Sequence, residues 1–517
     1  MRAKLRALRP TRSEGIAALA SAALFAIAFP PFDLIVPVFV CLVPVALAVA
    51  KRADAAESWR SSARLGFWFG LVGYGVTLYW LAVALRIYTN LAILGWVGAL
   101  LVLTPLVVLA TVALFVARRA TKLPLAILLP VVWVTLEVVL DYLPELGFPW
   151  LPLGLTMSHH PLMAQAADLS GVRGLSFWIA AINGLVADAW LLRARRSAVA
   201  VRAGTIAVLV ALVAAYGAWR LRTTALRPVA PIAIVQPNVP QEEKWQEQNQ
   251  GRIVGMLSGL TRERLARHDA ALVLWPEVAL PGFLLDHPDW ADTMRVLAGG
   301  SRTPILFGVL DVKWLSPTSY DYFNAAMVID SLGHLGRQPA YHKTYLVPVV
   351  ERVPFLDPRW FAKLHFFGGF GRGVSNPPPF HFPFGKVGVL ICYESIFPQR
   401  SRLYRLEGAS LIANITNDAW FGRSIAVYQH FAHLPLRAIE NRVGIVRAAN
   451  TGISAYIDPL GRVHGATDIF VPATRTYRAE TTDVRTLYVR IGDWVGTLSV
   501  LGTIVAVLLA FRRRREP

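Results

Sequence analysis

Two kinds of hydrophobic pattern divide the chain. From about residue 16 to 219, apolar runs follow one another with only short, mostly basic segments between them, at 16–29, 33–50, 64–86, 91–117, 123–141, 172–192 and 200–219; a last run lies at 494–511. Runs near 20 residues are what an α-helix needs to cross about 30 Å of hydrocarbon. The first two are short and meet at Phe29-Pro30-Pro31-Phe32, which predicts a broken or re-entrant hairpin in place of two full crossings. Between 220 and 492 the pattern changes to short strand-like runs: 232–235, 271–275, 304–308, 326–329, 387–391 and 411–414, alternating with loops and amphipathic stretches. Continuous apolar strands are buried on both faces, so this part reads as an α/β sandwich and not a simple antiparallel sheet. The expected organisation is a bundle of about seven spans over 1–219, a folded domain over 220–492, and a final span with a basic tail over 493–517. No repeat of fixed period and no low-complexity segment interrupts it.

Composition sharpens this picture. Of 517 residues 55% are hydrophobic and 16% charged, and the mean hydropathy of +0.46 is too high for an ordinary soluble protein. A net charge of +19 would suggest nucleic acid in a soluble chain, but placement argues otherwise. If the N-terminus is cytoplasmic, 20 of the 22 basic residues outside 220–492 lie on that side, leaving only Arg86 and Arg173 opposite. This is the bias that positive-inside sorting produces. An odd number of spans then places 220–492 outside the cytoplasmic membrane and both termini inside. The basic segment Arg2 to Arg12 leads into one apolar run after another, unlike a cleavable signal peptide. Two cysteines, Cys41 and Cys392, exclude a disulfide framework or a cysteine-rich metal site.

Three residues sit where strand-like runs end. Cys392 directly follows Val387 to Ile391, a position where a thiol is held at a loop mouth beside backbone N–H groups. A buried structural cysteine is the ordinary alternative, but Glu394 next door must be paired or functional. Glu277 follows the run 272–275 and Pro276, and can serve as a general base if apolar neighbours such as Trp275 tune it. Lys343, in Tyr341-His342-Lys343, can oppose developing negative charge on an acyl oxygen. Each alone has a plain reading as a loop or surface residue. Together, at one sheet edge, they make a base, an electrophilic stabiliser and a thiol nucleophile, the parts for acyl transfer through a thioester. A histidine base is less natural, because His381 and His430 follow no strand end.

Longer stretches carry a resemblance. Gln236-Pro237-Asn238-Val239 with Lys244-Trp245, Trp275-Pro276-Glu277, Tyr341-His342-Lys343, Leu346-Val347-Pro348, Glu351-Arg352-Val353-Pro354, Cys392-Tyr393-Glu394, Asn414 to Gly422, Arg437 to Arg442 with Arg447, and Asn450-Thr451-Gly452 resemble the bacterial apolipoprotein N-acyltransferase family over essentially the whole chain. The resemblance implies a polytopic helical membrane domain carrying a nitrilase-like αββα sandwich in the periplasm, anchored in the cell inner membrane. It implies Glu277, Lys343 and Cys392 as the catalytic triad and Glu351 as a further essential carboxylate. Tyr393 and Glu394 are implied as supports behind the cysteine, and Trp245 as part of a mobile rim that admits lipid. The acyl donor is implied to be a membrane phospholipid, whose sn-1 chain passes through a thioester to the α-amine of a diacylglyceryl-modified apolipoprotein. Neither metal nor diffusible cofactor is called for, and a monomer without nucleic acid is expected. The family usually has Pro-Phe-Gly-Glu where this chain has Pro348-Val349-Val350-Glu351.

The stretch Phe366 to Gly373 is rich in glycine but does not open a helix after a strand, so a nucleotide loop is rejected. Phe367 and Gly369 are expected in a lid or lipid-entry loop, with a plain structural loop as the alternative, and Trp420 and Phe421 along an acyl chamber, at the interface or in core packing. Asp141, Glu145 and Asp168 read as interfacial charges, whereas Glu137 and Asp188 lie deeper in apolar runs, where charge is costly. Two other functions compete: a membrane-tethered amidase with water as second nucleophile, which leaves the spans unexplained, and a transporter or scaffold with an inert outer domain, for which Cys392 is dispensable.

Overall fold

The computed structural model describes residues 9–86, 92–267, 269–316, 319–361 and 368–513. Each apolar run becomes a helix: α1 (Arg12–Ala28), α2 (Val43–Asp54, preceded by one turn at Ile35–Val38), α3 (Trp59–Thr77), α4 (Ala92–Thr121), α5 (Leu125–Tyr142), α6 (Ala167–Leu191) and α7 (Arg196–Thr223). Thr11 and Glu14 start α1 with a reciprocal capping box. Among the described residues, six helical segments are long and apolar enough to cross a membrane: Ile35–Asp54, α4, α5, α6, α7 and the last helix of the chain. α1 has 17 residues, and α3 opens on Arg60 and Arg64. α7 is instructive, since it is apolar yet buries only Gly217. A helix that shows apolar side chains all round without protein cover needs lipid as its solvent.

The acidic groups in the bundle join helices. Asp188 of α6 accepts the first amides of α5, Leu125 N and Ala126 N, at 3.0 Å each, capping a helix whose own N-cap is Pro124. Glu137 accepts Trp133 Nε1 at 3.0 Å and Leu153 N at 2.8 Å. Asp141 and Asp168, expected at the interface, are instead buried: Asp141 pairs with Arg173, and Asp168 with Arg220 and Arg442. A buried carboxylate is tolerated only when a countercharge and hydrogen bonds replace its water. Glu145 stays partly exposed beside Phe355 N and Arg352.

The second part contains β1 (Arg227–Gln236), α8 (Glu247–Arg267), β2 (Leu272–Leu274), β3 (Leu280–Phe283), α9 (Pro288–Ser301), β4 (Ile305–Ser316), β5 (Ser319–Ile329), β6 (Tyr341–His342), β7 (Phe380–Phe382), β8 (Gly385–Ile391), α10 (Pro398–Leu406), β9 (Leu411–Thr416), α11 (Ala426–Asn441), β10 (Gly444–Ala449), β11 (Ala455–Ile457), β12 (Val463–His464) and β13 (Ala473–Thr481). α12 (Trp494–Arg513) then returns to the bundle, against α4 and α5. All six predicted strand runs fall on strands. One sheet has the order β13-β1-β2-β4-β5-β6, with β3 on β4; the other is β12-β11-β10-β9-β8-β7. β1-β2-β4 and β8-β9-β10 are parallel.

Period-two alternation assigns the faces. Ile232 and Ile234 of β1 enter the core between the sheets with Val389, Ile391 and Ile412, whereas Ala233 and Val235 enter the core under α8 and α9 with Leu257 and Met294. The second sheet is covered by α10 and α11, completing four αββα layers. α11 and the turn after β8 meet the bundle: Ala432, Leu436, Ile439, Tyr393, Ile396 and Phe397 belong to the same apolar cluster as the membrane helices. Every α11 residue except Tyr428 is buried.

Candidate active site

Four chain turns meet where β2, β6, β8 and β9 end. β8 stops at Ile391, and Cys392 takes a left-handed backbone, φ 50°, before a short helical turn through Ile396. A non-glycine residue there costs about 1 kcal/mol, so the surroundings must enforce it. After β2, Trp275-Pro276 leads to Glu277, and Val278 is also left-handed at φ 43°. β4 can pass this turn only because position 308 is glycine: a Cβ on Gly308 would lie 2.4 Å from Val278 N.

Glu277 is buried and fully engaged. Its Oε1 accepts Lys343 Nζ at 3.2 Å and Asn324 Nδ2 at 2.7 Å, and its Oε2 accepts the Asn417 amide at 2.8 Å. Burial opposes its charge, but Lys343, the Asn324 hydrogen bond and Lys244 outweigh burial and hold the carboxyl below its ordinary value. Lys343 Nζ also donates to Glu351 Oε1 at 2.8 Å; despite burial, the two carboxylates raise its pKa, so it is an ammonium. Asn324 donates to Glu351 as well, at 2.9 Å. Burial, then the charge of Glu277, push the Cys392 thiol up against the pull of Lys343. The resting site is therefore thiol, carboxylate and ammonium. Glu277 can take the sulfur proton only as sulfur attacks an electrophile, when Lys343 offsets the charge that develops.

Glu394 ties two walls together. Its Oε1 accepts Thr344 N at 2.7 Å and Thr344 Oγ1 at 2.8 Å; its Oε2 accepts Tyr341 OH at 2.6 Å and Ile391 N at 2.8 Å. The lysine strand and the cysteine turn are thus held in fixed register. Tyr393 reaches the other way, donating its hydroxyl to Gly147 O at 2.6 Å and stacking near Phe148 and Trp150 of the segment after α5. A cavity of about 270 Å³ is lined by Asp141, Glu145 and Gly147 from that segment and by Thr344, Tyr345, Arg372 and Tyr393, the neighbours of Lys343 and Cys392.

Other expected residues take varied places. Trp245 is half-buried against the small cluster of Val278, Leu310, Tyr322, Leu346 and Phe370. Phe421 sets its ring edge-on to Trp80 at 5.1 Å and to His430 at 5.8 Å, and Trp420 is half-exposed. Phe367 lies outside the described residues. Gly369 is buried and bridges Arg352, while Phe370 N donates to Glu351 O at 2.9 Å and Gly373 N to Lys343 O at 2.9 Å. Where the family's loop carries Phe-Gly, Val349 takes φ 69°, an unusual backbone for a β-branched residue.

The sequence reading gave no role to five groups that the structure places around the site. Asn324, polar in the apolar run of β5, was legible as a buried partner-seeking group. Lys244 is buried and donates to Glu277 O at 3.1 Å; burial brings its pKa down to about 8. Asp418, His430 and Arg447 lie beneath the cysteine: His430 Nδ1 is 2.9 Å from Asp418 Oδ1, and Arg447 pairs with Asp418 Oδ2 at 2.5 Å. His430, set aside as a base, is brought to the nucleophile turn by helix α11 from 38 positions away. Cys392, Asp418 and His430 offer donor atoms within 4.8 Å of one another. Arg447 already neutralises Asp418 there, so a divalent cation would sit against a guanidinium, and the trio does not suit a metal.

A cysteine, carboxylate and lysine at strand ends of an αββα sandwich, seated on a helical bundle, define a membrane-held enzyme of the carbon–nitrogen hydrolase class. Residues 231–473 match the family described as carbon–nitrogen hydrolase, and residues 21–185 match the apolipoprotein N-acyltransferase N-terminal domain. The chain is 33% identical to an apolipoprotein N-acyltransferase of Geobacter metallireducens, over 97% of this chain and 96% of that one. It is 32% identical to that of Bradyrhizobium diazoefficiens, over 96% and 95%. An amidase of the nitrilase superfamily from Nesterenkonia superposes with a TM-score of 0.40 at 18% identity, covering 53% of this chain and 99% of that one. The chain belongs to the apolipoprotein N-acyltransferase family. It is an acyltransferase of the bacterial inner membrane, multi-pass, with its catalytic sandwich on the periplasmic side, and its family implies phospholipid and apolipoprotein as substrates.

Proposed function

We propose that the protein transfers the sn-1 acyl chain of a membrane phospholipid, through a thioester on Cys392, to the α-amine of an S-diacylglyceryl-cysteine at a lipoprotein's N-terminus. Residues 1–219 and 493–517 hold the enzyme in the bilayer, and 220–492 carry out the chemistry as a monomer without nucleic acid. In the first half-reaction Glu277 removes the Cys392 proton as sulfur bonds to the ester carbonyl carbon. Lys343 and the Tyr393 backbone N–H oppose the oxyanion. The ester C–O bond then breaks, and the proton passes from Glu277 to the departing glycerol oxygen, releasing lysophospholipid. In the second, the amine attacks the thioester, Glu277 takes its proton, the C–S bond breaks and the proton returns to sulfur. Glu351 keeps Lys343 in place, and Glu394 and Tyr393 hold the nucleophile turn against the lysine strand and the membrane segment.

The observation that carries this reading is one buried cluster, in which Lys343 is shared by Glu277 and Glu351 beside a strained cysteine. The cavity at the bundle junction supports a substrate that stays in the membrane. Its test is mass spectrometry of the purified protein after incubation with isotope-labelled phospholipid and no acceptor. The expected result is a labelled, hydroxylamine-sensitive acyl group on Cys392 that is absent from Cys392→Ala. Folded protein that forms no adduct with any of several phospholipids would sink the reading in favour of a small-molecule amidase.

A further inference from the structure

Glu277 has one lone pair to spare, and its place locates the incoming amine. Oε1 already accepts two donors, Lys343 Nζ at 3.2 Å and Asn324 Nδ2 at 2.7 Å, whereas Oε2 accepts only the Asn417 amide, at 2.8 Å, among the described residues. A carboxylate oxygen has two lone pairs, so a substrate N–H reaches this carboxylate at Oε2, on the side of Asn417. A relay of carboxamides fixes what stands on that side. Val239 N can only donate, so the Asn450 atom 2.9 Å from it is Oδ1. Asn450 Nδ2 then donates to Val239 O at 2.8 Å and to Asn417 at 2.9 Å, which makes the receiving atom Asn417 Oδ1. Asn417 Nδ2 in turn donates to Gln241 at 2.8 Å, so Gln241 presents Oε1 there. Flipping any one of the three groups sets donor against donor. The relay leaves Gln241 Nε2 as its free end, buried, with two N–H groups and no acceptor among the described residues.

A second donor stands on the same helical turn, Gln241–Lys244, three positions on and so on the same face. Gln241 and Lys244 are each 3% exposed. Lys244 Nζ donates to Glu277 O at 3.1 Å, which uses one of its N–H groups, and it lies close enough to Cys392 to feel its charge. Buried donors without an acceptor cost free energy. An oxygen lodged against both removes that cost.

We propose that Gln241 and Lys244 form an acceptor subsite, which takes the carbonyl oxygen of the acceptor's N-terminal residue during the second half-reaction. Covalent geometry holds the nitrogen and oxygen of an N–Cα–C=O unit about 3 Å apart, so an amine whose hydrogen meets Glu277 Oε2 brings that oxygen toward the donors on the Asn417 side. The subsite selects the α-amine of a peptide over an amine with no neighbouring carbonyl, such as an ethanolamine. It also gives a reason for keeping a buried lysine beside the base. An ester carbonyl of the diacylglyceryl group offers the same chemistry, and the test separates the two. The inference rests on the reading of Cys392 as the acyl carrier.

Competition between acceptors tests it, with full-length protein in nanodiscs of labelled phospholipid. One mixture holds an S-diacylglyceryl-cysteinyl peptide and S-diacylglyceryl-cysteamine, which has the same amine and lipid but no peptide carbonyl. A second mixture holds the peptide and its analogue with ether-linked alkyl chains in place of the esters. The product ratio, read by mass spectrometry, reports only the choice of acceptor, whatever the rate at which Cys392 is acylated. The peptide-to-cysteamine ratio is expected to fall about tenfold in Gln241→Met and in Lys244→Met, the loss of one hydrogen bond to the substrate, with the ester-to-ether ratio as in the wild type. A peptide-to-cysteamine ratio within twofold of wild type in either folded variant overturns the proposal, and so does a change in the ester-to-ether ratio instead. If Gln241→Met fails to fold, Gln241→Glu keeps the bond from Asn417 and removes the two N–H groups, and the same fall is expected. Wild-type protein that forms no acyl thioester refutes the acyl-transfer reading itself; transfer through the thioester with unchanged ratios in the variants refutes the subsite alone.

Discussion

The two outer helical layers of the sandwich meet different surroundings. α8 faces water. It buries Ile253, Val254, Leu257, Ser258 and Thr261, while Arg252 stays more than half-exposed and pairs at 2.6 Å with Glu243. α11 faces the membrane bundle, and its polar side is as buried as its apolar one. Gln429 takes the indole N–H groups of Trp80 and Trp150, His430 lies under the nucleophile, and Arg437 and Glu440 pair at 2.8 Å. A polar stripe of that kind normally marks a solvated face. Here it is a set of directional bonds, of which those of Gln429 join the sandwich to the bundle, and each bond is costly to leave unmade.

That difference can be broken at graded cost. The largest effect belongs to the site that α11 supports: Glu277→Gln is expected to slow formation of the labelled acyl-enzyme by roughly 10²–10⁴-fold, the contribution of a positioned base. Next is Asp168→Asn at the bundle junction, which leaves Arg220 and Arg442 without a countercharge. Chemical unfolding should lose about 3–5 kcal/mol. A loss below about 1 kcal/mol would mean that water reaches the junction and that the two layers are alike.

Lys244→Met gives an intermediate effect with a pH signature. The native amine, buried beside the site, releases its proton near pH 8, while the unfolded chain keeps it to about 10.5. The unfolded state thus binds more protons between those values, so the native protein gains stability from this group as pH rises through that window. Below pH 8 the full penalty applies. Lys244→Met is expected to stabilise the protein by on the order of 2 kcal/mol at pH 7 and by far less at pH 10.5. Unfolding curves at the two pH values decide it, and an equal effect at both contradicts the assignment. The smallest effect is Arg252→Ala on the watered layer, expected to stay within about 0.5 kcal/mol in the same unfolding assay, as exposed ion pairs do.

Much of this was readable from short windows of sequence. The six β-branched runs fall on strands, because a strand buried on both faces has to be apolar throughout. Glu277, Lys343 and Cys392 stood out for the same reason, being polar groups immediately after such runs. Asp188 and Glu137 stood out as costly charges, but their partners, the first amides of α5 and the Leu153 amide, are backbone groups that no side-chain pattern announces. Asp168 looked like an ordinary rim charge because its partner Arg442 is 274 positions away. The left-handed turn at Val349 was not legible, since valine gives no local signal for it.

The sequence by itself determined the membrane runs, their orientation and the strand ends that bear Glu277, Lys343 and Cys392. These follow from length, charge bias and periodicity, which are properties of neighbouring residues. Only the tertiary structure decided which polar groups are dry. Burial of His430, Arg442 and Asp418 is set by what packs against them from tens to hundreds of positions away, and the same side chains in water would carry no information about the site.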